Sequence, residues 1–230
     1  MEELMYRYTF PSLLIALLFI LASPGTIQPA TVALAFVDEF NNTNLDLTKW
    51  AVVNGEPSIA NGKLMLVGEV STRAEIQSIQ KFGSGVLEIV ITSSNWKPQS
   101  QTTDADVGFE IWQGANGNCH YGVILVANGH LGLLRHQPDA TGNCQGDPQF
   151  QVYKPISNWD AIRAGKTVHV TLTWSAKIVR LYVSSINSNN GSAVYLGSTG
   201  ITNQLKIRLN ADFNETYSID YIRVGILLSR

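Results

Sequence analysis

Charge is scarce in this chain of 230 residues: Asp, Glu, Lys and Arg together make up 15% of it and leave a formal net charge of −2. Nothing in it is basic enough to neutralise a phosphate backbone, which excludes nucleic acid as a partner. Cysteine is limited to Cys119 and Cys144, and the four histidines, His120, His130, His136 and His169, lack the spacing of metal ligands. A zinc site is therefore excluded, and so is a nucleophile-elbow hydrolase, because no G-x-S-x-G stands on a strand-turn-helix pattern. Helical periodicity, internal repeats and low-complexity tracts are also missing.

The longest apolar run, Leu13 to Ala22, is about half the roughly 20 residues needed to span a membrane, and it suits the core of a secretory leader. Arg7 is the only basic residue ahead of it, and Ala33-Leu34-Ala35 offers an A-x-A cleavage site immediately before Phe36. We expect residues 1–35 to be a leader and 36–230 one domain, exported or held at the cell surface. An uncleaved membrane anchor and a retained N-terminal helix are the alternatives, so a membrane contact is expected only if the leader persists. Cys119 and Cys144 fit the same compartment. A disulfide between them is the economical reading, worth about 3 kcal/mol if unstrained, with two free thiols as the alternative.

What is abundant is period-two alternation. Lys63–Val67, Gly85–Thr92, Val107–Trp112, Tyr121–Ala127, His130–Arg135, Val168–Trp174, Val179–Val183, Gln204–Leu209 and Ser218–Val224 all read as strands. Asn61-Gly62, Asn116-Gly117 and Asn128-Gly129 are placed for tight hairpins. The one helical turn expected is Asn158–Arg163. Many short strands without intervening helices predict an all-β sandwich or barrel.

Two terminal segments narrow that choice. Phe36-Val-Asp-Glu-Phe-Asn-Asn-Thr-Asn-Leu-Asp-Leu-Thr-Lys-Trp50 and Tyr217-Ser-Ile-Asp-Tyr-Ile-Arg-Val224 resemble the opening "DEFN…LD…KW" and closing "VDYVRV" of the concanavalin A-like lectin/glucanase superfamily, especially its laminarinase and lichenase β-glucanases. Lys81-Phe-Gly-Ser-Gly-Val-Leu-Glu88 is similar to their "FGYGRFE" strand, and His169 to Val183 to their "H…W…I.FYV" hairpin. The resemblance covers nearly all of 36–230 and implies a two-sheet antiparallel jelly-roll sandwich. It also implies that Asp220 corresponds to a calcium ligand on the convex side of several relatives.

The segment Asp106-Val-Gly-Phe-Glu110-Ile-Trp112 falls where the glucanases carry their catalytic E-x-D-x-E strand. Alternation puts Val107, Phe109 and Ile111 on a core face and Asp106, Gly108, Glu110 and Trp112 on the other. A retaining glycosidase needs two carboxyl groups about 5–5.5 Å apart. Asp106 is a methylene shorter than the family's nucleophile, and Gly108 supplies no carboxylate where the family has its middle Asp. Only Glu110, at the acid/base position, agrees.

Trp96 and Trp112 are candidate sugar platforms, Trp96 because it matches a cleft tryptophan of the resembled family, while Trp50 and Trp174 read as core. Glu88, Arg73, Glu75, Gln77 and His120 are further candidates for the same groove. The expected function is carbohydrate binding on a concave face, with a polysaccharide or glycan as partner and no required cofactor. The alternatives are a β-glucan hydrolase using Asp106 as nucleophile and Glu110 as acid/base, or a structural subunit of a surface layer, adhesin or filament. Oligomeric state is left open.

Overall fold

The computed structural model describes residues 32–99, 107–115, 119–135, 149–175, 179–186, 189–197, 206–212 and 214–227, and gives only the backbone path for 32, 107–115, 119–122, 134–135, 149–151, 197 and 227. Within them the chain forms two antiparallel sheets. The first runs β13 (Gly191–Gly197), β12 (Val179–Ser185), β11 (Thr167–Trp174), β6 (Gly85–Ser93), β15 (Thr216–Leu227), β4 (Lys63–Val67), β3 (Ser58–Ala60), with β1 (Val32–Asp38) also paired to β15. The second runs β10 (Gln149–Pro155), β9 (His130–Arg135), β8 (Cys119–Val126), β7 (Val107–Ala115), β14 (Lys206–Ala211), β5 (Ala74–Ser78), β2 (Trp50–Asn54). Neighbours distant in sequence, such as β6 beside β15 and β7 beside β14, make this the predicted jelly-roll sandwich.

Alternation drives the packing. β11 reads TVHVTLTW, and its Val168, Val170, Leu172 and Trp174 are buried while the residues between them are not. Leu87, Ile89 and Ile91 of β6 meet this row from the next strand, and Ile76, Val123, Leu125, Ile207 and Leu209 close the core from the second sheet. Trp50 and Trp174 are core residues, as expected. Trp50 Nε1 donates to Asp38 Oδ2 at 2.8 Å, and Trp174 Nε1 donates to the Gly83 carbonyl. Each buried indole thus satisfies its one polar atom.

Two turns follow from their residues. Asn61 and Gly62 both take positive φ (53° and 69°), the backbone that joins β3 to β4 in a tight hairpin. Gly129, between β8 and β9, has φ 78°, and a Cβ there would lie 2.1 Å from Trp159 Cγ, so no other residue fits. Trp159 opens the single helix among the described residues, α1 (Trp159–Arg163), as predicted.

β1 begins at Val32, so the expected leader boundary before Phe36 falls inside a strand. Val32, Ala33 and Leu34 pair with Leu227, Ile226 and Gly225, and a bulge separates them from Phe36. Phe36 itself packs edge-on against Trp50 and Phe82 at 5.4 and 5.6 Å. No helix among the described residues is long and apolar enough to cross a membrane. Cys144 and the Asn116-Gly117 turn lie outside the described residues, so the expected disulfide does too.

Candidate functional site

On β14, Ile207, Leu209 and Ala211 join the core, which leaves Lys206, Arg208 and Asn210 on the outer face of the second sheet. On β5, Ala74 and Ile76 face inward, and Glu75 and Gln77 take the outer rows. Register extends these rows to β7, the middle strand of the sheet. Position 111 lies between Ile207 and Val123, both core residues, whereas position 110 lies between Arg208 and Ile124 and position 112 between Lys206 and Gly122. Positions 110 and 112 are thus the register partners of the outer-row residues Arg208 and Lys206; their side chains are outside the described set. Position 120 is paired with Gly114, in an outer row as well.

Alternation fails two residues earlier. Val107 is registered with Val126 and Phe109 with Leu125, with a bulge between them. Leu125 belongs to the core, but Val126 belongs with Ile124 to a separate apolar cluster. The extra residue shifts the register of the strand there. Strict alternation from Glu110 back to Asp106 does not carry across this point, and Asp106 lies outside the described residues.

Beside position 110 stands a buried polar group drawn from two strands. Glu75 and Arg208 form an ion pair, Oε1 to Nε 3.0 Å, in a geometry not aligned as a hydrogen bond. Asn210, the register partner of Glu75, is also buried, and its Oδ1 has no hydrogen-bond partner among the described residues. Burial pushes the Glu75 carboxyl above its ordinary pKa, while the charges of Arg208 and Arg73 oppose the rise. Arg73 ends the row, with Nε 2.7 Å from Asp212 Oδ1.

The β8–β10 side of the same face has a different character. Ile124 and Val126 are fully buried there, with Tyr153 packed on them. His130 stacks on Tyr153 at 4.1 Å, its Nδ1 3.0 Å from Asn128 Oδ1, which also accepts the Tyr153 hydroxyl at 2.9 Å. Burial depresses the His130 pKa, which favours the neutral ring at neutral pH. Among the described residues, the charged side chains of this face are thus concentrated on β14 and β5.

Three predicted site residues lie elsewhere. Trp96 is a core residue: its Nε1 donates to the Lys166 carbonyl at 2.8 Å, and its ring meets Trp159 and Tyr217 edge-on at 5.4 and 5.5 Å. Glu88 is on β6, in the other sheet. It is buried on that sheet's outer face, where Oε1 accepts from His169 Nε2 at 2.8 Å and from the Tyr221 hydroxyl at 3.2 Å. Burial alone would raise its pKa, but these bonds and the Arg223 charge outweigh it and hold the carboxyl below its usual range. Asp220 is 2.8 Å from Lys63 Nζ, and no group of three or more His, Cys, Asp or Glu among the described residues is arranged to hold a metal. A calcium ion at Asp220 would have to displace that ammonium and find most of its six to eight oxygens elsewhere, so these residues do not fit one.

Lys206, Arg208 and Asn210 are the site residues that sequence reading misses. Their alternation with Ile207 and Leu209 is plain, but nothing local says that β14 lies against β7 and β5.

No protein-family model matches the chain, and no curated protein matches it. Solved structures do. The catalytic domain of an endo-1,3-β-glucanase (laminarinase) from Thermotoga petrophila is 13% identical, with a TM-score of 0.57, over 87% of this chain and 100% of that one. The κ-carrageenase of Pseudoalteromonas carrageenovora, solved in complex with an oligotetrasaccharide of κ-carrageenan, is 13% identical with a TM-score of 0.58, over 90% and 100%. A prokaryotic β-1,3-1,4-glucanase (lichenase) from a mouse hindgut metagenome is 11% identical with a TM-score of 0.52, over 82% and 97%. At these identities the likeness shows the fold alone: the chain has the two-sheet jelly-roll sandwich of these structures.

Proposed function

We propose that this is an exported glycan-binding protein that holds a polysaccharide across β7, β14 and β5 on the outer face of the second sheet. The observation that carries the reading is the polar group of buried Glu75 and Asn210 with part-buried Arg208, in the rows next to positions 110 and 112. A buried acceptor such as Asn210 Oδ1, without a partner among the described residues, suits a donor brought by a ligand, and sugar hydroxyls are such donors. An indole in the Trp112 row adds a plate for the apolar face of a pyranose. That several proteins of this fold are named for the glycans they act on adds support of a general kind. The apolar segment Leu13 to Ala22 supports export.

The test is a screen of the secreted protein on an array of immobilised glycans. Binding to a defined set of polysaccharides is expected, weakened by Trp112→Ala and by Asn210→Ala; a protein that binds none would overturn the reading.

A second reading is a retaining β-glucan hydrolase with Asp106 as nucleophile and Glu110 as acid/base. The register of position 110, in an outer row beside Arg208, favours it. Gly108 and the shortened Asp106 weigh against it, because a misplacement of about 1 Å costs roughly a hundredfold in rate. Release of reducing ends from a bound glycan, abolished by Glu110→Gln while binding persists, would establish the hydrolase.

A further inference from the structure

Residues 167–197, which build β11, β12 and β13, contain no acidic residue and two basic ones, Lys177 and Arg180. On β13, Val194 and Leu196 face the core and Tyr195 faces out, with its side chain half exposed. On β12, Val179 and Leu181 are core residues and Arg180, the register partner of Tyr195, is exposed on the same outer face. The Arg180 guanidinium sits over the Tyr195 ring, 5.7 Å from its centroid. From the edge of the other sheet, exposed Lys154 reaches across and donates from Nζ to the Tyr195 carbonyl at 2.8 Å. Neither Arg180 nor Lys154 makes an ion pair with an acid among the described residues.

We infer that this corner is a second binding site, separate from the proposed groove, and that its ligand is an anionic polysaccharide bearing carboxylate or sulfate groups. Arg180 lies over a half-exposed phenol ring, and Lys154 is held at the main-chain carbonyl of the same residue. A pyranose packed against the exposed part of that ring brings its charged substituents to the corner that holds both cations. Arginine is suited to the bidentate geometry of carboxylate or sulfate, and lysine acts as a point charge. A free inorganic anion would use the cations but not the ring, which is why a sugar polymer fits the corner better. Because this corner is built from β12, β13 and the end of β10, away from β7, β14 and β5, it holds a charged polymer independently of the groove.

The experiment is affinity electrophoresis of the full secreted protein through gels containing polygalacturonate, dextran sulfate or neutral dextran. Retardation by at least one anionic polymer, absent in neutral dextran and weakened as salt rises from about 50 to about 300 mM, is expected. Arg180→Gln combined with Lys154→Gln should weaken retardation about tenfold, and Tyr195→Ala several-fold with both charges intact. Asn210→Ala should leave it unchanged, which separates this site from the groove. Lys81→Gln, which removes an exposed charge elsewhere, is the control. The proposal is overturned if neither polymer retards the protein, or if Lys81→Gln weakens retardation as much as Arg180→Gln. It fails equally if Tyr195→Ala has no effect, or if duplex DNA competes as well as the polysaccharide, since either result would mean unspecific charge.

Discussion

The outer faces of the two sheets handle buried carboxylates in opposite ways. On the first sheet Glu88 is enclosed by its own neighbours: His169 and Tyr221 both bond to Oε1, and Oε2, which has no hydrogen bond among the described residues, lies 3.9 Å from Arg223 Nη1. On the second sheet Glu75 shares an ion pair with Arg208 without a hydrogen bond at Oε1, and its register partner Asn210 keeps a buried oxygen without a partner among the described residues. A carboxylate that already holds two hydrogen bonds is largely committed to the fold and offers little to a ligand. A polar group left incomplete costs stability unless something from outside completes it. The contrast teaches that a polar residue on an outer row is a binding candidate only when its neighbours have not already used it, and Glu88 fails that criterion.

The sharpest way to break the comparison uses the indoles. Trp96→Ala removes a core ring and should cost about 3–5 kcal/mol of stability, read by thermal or urea unfolding. Trp112→Ala should leave the melting temperature within a few degrees of wild type and abolish most glycan binding. If the two effects were exchanged, the assignment of rows would be wrong.

Glu88→Gln should cost about 1–3 kcal/mol at neutral pH with glycan affinity unchanged, because it weakens the His169 and Tyr221 bonds on the other sheet. The sign of its pH dependence follows from a depressed folded pKa. The stabilisation is complete above the ordinary value of 4.5 and is lost as pH falls through the folded value, so mutant and wild type should converge in acid. Convergence at high pH would contradict the network.

A smaller effect with the opposite sign is expected at Glu215. It is buried near Tyr217, whose hydroxyl donates to it at 3.1 Å, and burial pushes its pKa above 4.5 despite that bond. A raised folded pKa gives stability that is full below 4.5 and lost as pH rises through the folded value. Glu215→Gln should therefore raise the melting temperature at pH 7 to 8 by a few degrees and make no gain near pH 4. A loss at pH 8 would show that the ionised carboxylate is better paired than the structure indicates.

Much of the architecture was legible before folding. Period-two runs such as Thr167–Trp174, and the Asn61-Gly62 turn, state their conformation through side-chain spacing and a demand for positive φ. Trp50 and Trp174 could be placed in the core for the same reason. Alternation says which side of its own strand a residue takes, but not which sheet the strand joins. Glu88 was assigned the correct side of β6 and the wrong sheet. Trp96, in a connecting segment, had no alternation to guide it, and what holds it is a backbone carbonyl 70 residues away at Lys166. The bulge between Val107 and Phe109 was equally invisible, since an inserted residue leaves no mark on composition.

The central claim, that the outer rows of β7, β14 and β5 form one glycan site, is tested most directly by titrating tryptophan fluorescence with a polysaccharide identified on the array. The wild-type protein and Asn210→Ala should both respond, the variant with an affinity about tenfold weaker, and Trp112→Ala should lose the signal. A response that survives Trp112→Ala unchanged, or that ignores Asn210→Ala, would place the sugar somewhere else and contradict the account.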